Sequence, residues 1–113
     1  VIAVTTPIIE GFKIKKYLGL VTGEAVSGII FFKDWIAKMK DYFGGSIRPY
    51  EDSIKEAEKK AIQKMIERAE SIGANAVIGI IITSFPFSPS GKGTVVGVSV
   101  LGTAVYVEEE VKN

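Results

Sequence analysis

The sequence predicts an α+β domain of order ββααββ, an antiparallel sheet packed on two helices. Three observations carry this. The block Gly73-Ala74-Asn75-Ala76-Val77-Ile78-Gly79 joins a long amphipathic helix to a strand apolar on both faces. Residues 94–108 make a second such strand, strongly polar on neither face until Glu108. Between the first two strands and the long helix, Phe32, Trp35, Ile36, Met39 and Phe43 recur at three- and four-residue spacing, the stripe of a shorter helix. The 113 residues fit one domain, 1–113, able to bury roughly two-thirds of its unfolded surface without disulfide or metal.

The elements follow in order. Residues 2–5 read as a short first strand, with Pro7 suited to the turn or edge beyond it. Residues 14–26 read as a longer strand, in which Gly19 and Gly23 mark bulges or close backbone approach. The first helix is expected near 30–43, stopped by Gly44-Gly45. Pro49 opens the second, with Glu51 and Asp52 at its positive end. Its buried stripe is Ile54, Ala57, Ala61, Met65, Ala69 and Ile72, and Gly73 ends it. Residues 75–85 form a strand with Ile78, Ile80 and Ile82 on one face and Val77, Ile81 and Phe85 on the other. A hairpin loop from Pro86 to Gly93 leads to the last strand.

Composition narrows the function classes. The chain has no cysteine and no histidine, which excludes disulfide scaffolds, Cys/His zinc sites, thiol redox chemistry and Cys- or His-based catalysis. Absence of cysteine fits the cytoplasm. A net charge of +1 supplies no field toward nucleic acid or membrane, and neither is expected as a partner. The chain begins at Val1 rather than Met and is expected to be trimmed there; no secretory leader and no membrane span are expected. Abundant isoleucine with scarce Gln and Asn is a thermophile-like composition. Hydrophobic residues make up 47%, high for a small domain with two doubly apolar strands, and oligomerisation is one way to cover them.

Several motifs occur in a set order: Gly23-Glu24-Ala25-Val26 with Gly28, Asp34, Gly44-Gly45 with Tyr50-Glu51, the 73–79 block, and Gly102-Thr103-Ala104-Val105. In these the chain resembles the YbjQ-like family, often labelled a heavy-metal-binding domain, over nearly its whole length. The resemblance implies a dodecin-like subunit that assembles into closed rings, typically pentamers, with strands continuing between subunits. One departure concerns the Arg that the family tends to carry after the Gly-Gly pair. Here Ser46 holds that position, and the nearest Arg is Arg48.

The candidate sites each have two readings. Glu24 and Asp34 lie in family motifs and read as a polar ligand pocket with Arg48, Lys33 or Tyr50, or as an ion pair or cap fixing a turn. Soft cations need thiolate or imidazole, which the chain lacks, and Met39 and Met65 fall in core stripes. No metal-ligand residue is therefore assigned. A carboxylate site for a hard cation at Glu108 and Glu110 is the metal alternative. Ser88 to Thr94 only superficially resembles a phosphate loop, because the spacing fails and a strand follows it. Phe85 and Phe87 are candidates for packing on a neighbouring subunit or stacking a planar ligand. Lys13, Lys15 and Lys16, near a first hairpin, read as a solvated surface.

The resulting expectation is a homo-oligomeric, by resemblance pentameric, non-enzymatic binding or scaffold module with any small ligand at subunit interfaces. No cofactor is assigned. Carboxylate-based metal binding, and an enzyme using Glu24, Asp34, Arg48 or Tyr50, are the alternatives.

Overall fold

The computed structural model describes residues 1–27, 48–87 and 95–111, without the side chains of 27, 48–53 and 87. Its elements are β1 (Ile2–Ala3), β2 (Phe12–Ser27), α1 (Arg48–Ser71), β3 (Ala76–Phe87) and β4 (Val95–Glu109). The shorter helix expected near 30–43, with Asp34 on it, and the hairpin tip lie outside the described residues.

The four strands form one sheet in the order β1-β3-β4-β2. β4 pairs antiparallel with both β2 and β3, whereas β1 pairs parallel with β3. The sheet is therefore mixed, not wholly antiparallel as expected, and the first two strands do not form a hairpin. β1 sits at the opposite edge from β2, where the Ile2 amide donates to the Asn75 carbonyl (3.1 Å) and the Val4 amide to that of Val77 (3.0 Å). The reason is apolar. On its way across the sheet to β2, the chain lays Ile2, Val4, Ile9, Phe12 and Ile14 against Ala76, Ile78, Val105 and Val107. A tight β1–β2 hairpin offers no such cover.

α1 packs on the other, inner face. Ala57, Ala61, Met65 and Ala69 are buried against Val21, Val77, Val96, Val98, Val100 and Ala104. Ile54 packs on this core, but Ile72 is 47% exposed, because α1 ends at Ser71 and Ile72 already belongs to the turn. That end is a Schellman motif. The Ala74 amide donates to the Ala69 carbonyl and the Gly73 amide to that of Glu70, both at 3.0 Å, with Gly73 at φ 89°.

β3 does not alternate as simple periodicity predicts. Ile80 joins Val77 on the inner face, while Ile78 faces outward with Ala76. An extra residue enters between the pairs Ile78–Thr103 and Ile81–Leu101, and Gly79 takes φ 61° there. The amides of Gly79 and Ile80 both turn toward the β1 segment, donating to Thr6 (2.9 Å) and Val4 (3.2 Å). A residue inserted at this bulge reverses the face of everything after it. β3 then stays paired through Phe87, opposite Val95, so Pro86 lies in the strand and not in the loop.

The glycines of β2 do both things expected of them. Gly19, at φ 127°, closes a register shift after Tyr17. Gly23 lies so close to α1 that a Cβ there would overlap the Ala61 carbonyl. Gly23→Ala must therefore push α1 off β2, and is expected to cost about 1–3 kcal/mol in urea unfolding, the range for overpacking. An unchanged midpoint would mean that α1 does not seat on this residue.

Candidate functional site

Two rises match where α1 crosses β2. Four residues of helix advance about 6 Å, and two residues of strand about 6.6 Å. Lys64 and Arg68 on α1 therefore meet Glu24 and Thr22 on β2 rung by rung. Arg68 Nη1 donates to the Thr22 carbonyl (2.8 Å) and to Glu24 Oε2 (2.9 Å), while Nη2 donates to Glu24 Oε1 (2.7 Å). Lys64 Nζ donates to the Glu24 carbonyl (3.0 Å).

The fork-to-fork geometry is the strongest form of this pairing, although both side chains remain about half exposed, where solvent screens the charge. The guanidinium hydrogen bond lowers the Glu24 carboxyl from its usual value; desolvation opposes it, and the charges of Arg68 and then Lys64 add to the lowering. The same bond raises Arg68.

Of the expected site residues, the structure thus brings Glu24 to Arg68 and Lys64. It does not bring Arg48 or Tyr50 to Glu24 within one chain. Both lie in the first turn of α1, and 16 residues of helix, about 24 Å, separate Arg48 from Lys64. Asp34 and Lys33 lie outside the described residues. The sequence reading missed Lys64 and Arg68. The available signal was Lys60, Lys64 and Arg68 at four-residue spacing beside the buried Ala61-Met65-Ala69 stripe.

Asn75 was legible only as part of a motif. Its Nδ2 donates to the Val107 carbonyl (2.9 Å) and its Oδ1 accepts from the Val107 amide (2.8 Å). The side-chain amide thus supplies a rung of sheet before β3 begins.

At the far end of β2 and β4, Lys13 stands opposite Glu108, and Lys15 Nζ lies 4.0 Å from Glu108 Oε2. Two shallow hollows of about 430 and 440 Å³ flank this end. Among the described residues no three His, Cys, Asp or Glu side chains group as metal ligands.

The outer face divides in two. Its half near Ala76 and Val105 lies under the N-terminal segment. Beyond, the registers align Leu20 with Thr103, Thr22 with Leu101 and Ile81, Glu24 with Ser99 and Thr83, and Val26 with Gly97 and Phe85. Leu20 is 75%, Val26 64% and Ile81 60% exposed. Phe85 lays its ring over Gly97, where a Cβ would come within 2.6 Å of it.

Two measurements check this geometry. Because the folded pKa of Glu24 is lowered, its contribution is complete above the unfolded carboxylate range, about 4.3. That contribution is lost as pH falls through the lower folded value. The thermal midpoint of the native sequence should therefore drop more steeply between about pH 5 and 3 than that of Glu24→Gln; parallel curves would contradict the pairing. Asn75→Ala strands the Val107 amide and carbonyl and should cost about 1–3 kcal/mol in chemical denaturation.

The family model described as "Putative heavy-metal-binding" matches residues 1–108. A UPF0145 protein of Carboxydothermus hydrogenoformans is 43% identical over 106 residues, covering 94% of this chain and 95% of that protein. A UPF0145 protein of Clostridium botulinum is 44% identical over 107 residues, 95% of this chain and 99% of that one. A crystal structure of a protein of unknown function in the DUF74 family, from Pediococcus pentosaceus, superposes with a TM-score of 0.59 over 94% of this chain and 96% of that chain. At 17% identity this is a likeness of fold. By model match and close relatives alike, the chain belongs to the YbjQ family of UPF0145 proteins.

Proposed function

We propose that the protein is a self-associating, non-enzymatic binding or scaffold module that holds any small ligand between its copies. The observation that carries this is the bare outer half of the sheet. Leu20, Val26, Ile81 and Leu101 form an apolar surface there with no cover among the described residues. Removing a large aliphatic side chain from water contributes about 1.5–3 kcal/mol, so a few such residues per copy favour association. A closed pentameric ring is the stoichiometry that the family resemblance implies. A cytoplasmic setting belongs to the same reading, supported by a cysteine-free chain; no helix among the described residues is long and apolar enough to cross a membrane.

Native mass spectrometry of protein purified without a histidine tag tests the proposal. The expected result is one discrete multiple of the 12.2 kDa chain, reduced to the single chain by Leu20→Glu or Ile81→Glu with the fold intact. A native sequence that stays single at micromolar concentration would overturn it.

The family description favours a second reading, divalent-cation binding through carboxylates such as Glu108 and Glu110. Calorimetry with several divalent ions separates the two. Saturable heat, abolished by Glu108→Gln with Glu110→Gln, supports it, and no heat at millimolar ion removes it.

A further inference from the structure

β2 is the last strand of the sheet among the described residues, and a last strand presents a row of unpaired backbone groups to any extended chain. Which groups point outward follows from register. The Val105 carbonyl accepts from the Asn75 amide and the Val107 amide bonds the Asn75 side chain, so odd residues of β4 turn toward β3 and even ones toward β2. Val100 and Gly102 therefore hydrogen-bond to their partners Gly23 and Val21, while Thr22 and Glu24 between them direct their carbonyls to the free edge. These are the two carbonyls that Arg68 and Lys64 occupy.

We infer that α1 closes the Thr22–Glu24 stretch of the β2 edge to strand addition. Lys64 and Arg68 take two adjacent acceptors that an incoming strand would use, and the closure rests on these two cation–carbonyl bonds rather than on the additional Glu24–Arg68 ion pair. The device depends on three features. The helix must lie close, which Gly23 permits. The cations must recur every four residues beside carbonyls recurring every two, the match of rises already noted. The cations must also stand on the flank of α1, next to Ala61, Met65 and Ala69, so that long stems reach past the strand. Lys60 is the next member of the row, level with the Val26 carbonyl by the same spacing. The partner excluded is an extended segment of a second copy, whose strands carry the same unsatisfied groups. This closure does not depend on the native protein being an oligomer, because both carbonyls are occupied from within one chain.

The test uses the full chain with Lys64→Ala/Arg68→Ala, and Glu24→Gln as its control. Glu24→Gln loses the charge pair but keeps both cations able to reach the carbonyls. Masses are read by light scattering across a range of concentrations, with circular dichroism confirming the fold. The expected result is a shift of the double variant from the native discrete mass to a series that keeps growing with concentration. Glu24→Gln should keep the native mass. A double variant that folds and keeps the native mass overturns the inference, as does equal growth in Glu24→Gln, which assigns the growth to lost stability. Should the double variant not fold, Lys64→Ala alone frees the Glu24 carbonyl, and its mass against that of Glu24→Gln decides in the same way.

Discussion

The near contact between α1 and β2 at Gly23 is the constraint on which the rest of the structure depends. A strand residue without a side chain meets a helix backbone carbonyl, and small residues line the seam on both sides: Ala57, Ala61 and Ala69 from the helix, Gly102 and Ala104 from the sheet. At Gly102 a Cβ would come within 2.5 Å of Val77 Cγ1. The seam is thin at Gly23 because small residues surround the crossing, with Met65 the one large helix side chain buried in it, and that thinness has consequences beyond packing. It carries the flank of α1 far enough over β2 for Lys64 and Arg68 to reach the backbone of the edge. A bulkier seam would hold the same cations in solvent, where an exposed ion pair contributes little.

Among the described residues, those that tie the chain to its family are mostly devices of folding. In the 73–79 block, Gly73 closes a Schellman turn, Asn75 stands in for a rung of sheet, and Gly79 opens a bulge. In the 23–26 block, Gly23 admits the helix and Glu24 fastens Arg68. In the 102–105 block, Gly102 lies beneath Val77 and Met65, while Ala104 and Val105 point into opposite cores. In these three blocks the described residues have structural roles. The heavy-metal description finds no thiolate or imidazole ligand in this chain.

The two faces of the sheet meet different fates for one topological reason. Only α1 crosses the inner face, and only the N-terminal segment crosses the outer one among the described residues. That segment is short, so it covers the end of the sheet near Ala76 and stops. β2 and β4, 16 and 15 residues long, run about 50 Å, well past that cover. The surplus length leaves Leu20, Val26 and Ile81 without cover among the described residues, and the Phe85 ring on Gly97 belongs to the same surface.

Local pattern alone determined the long helix, its buried Ala57-Ala61-Met65-Ala69 stripe, its stop at Gly73, and the existence and approximate ends of the three long strands. These follow from periodicity and from glycine at positive φ, which neighbouring residues decide. Family, too, was legible, because the turn and bulge residues are written in sequence. Tertiary structure decided the rest. β1 joined the far edge because apolar cover outweighed a local hairpin. Ile80 changed face because one bulge residue reverses all that follow it, and alternation counted along the chain does not register the insertion. Glu24 found Arg68 instead of Arg48 because the partner was set by where a 24-residue helix lies across a strand, a distance no sequence spacing records.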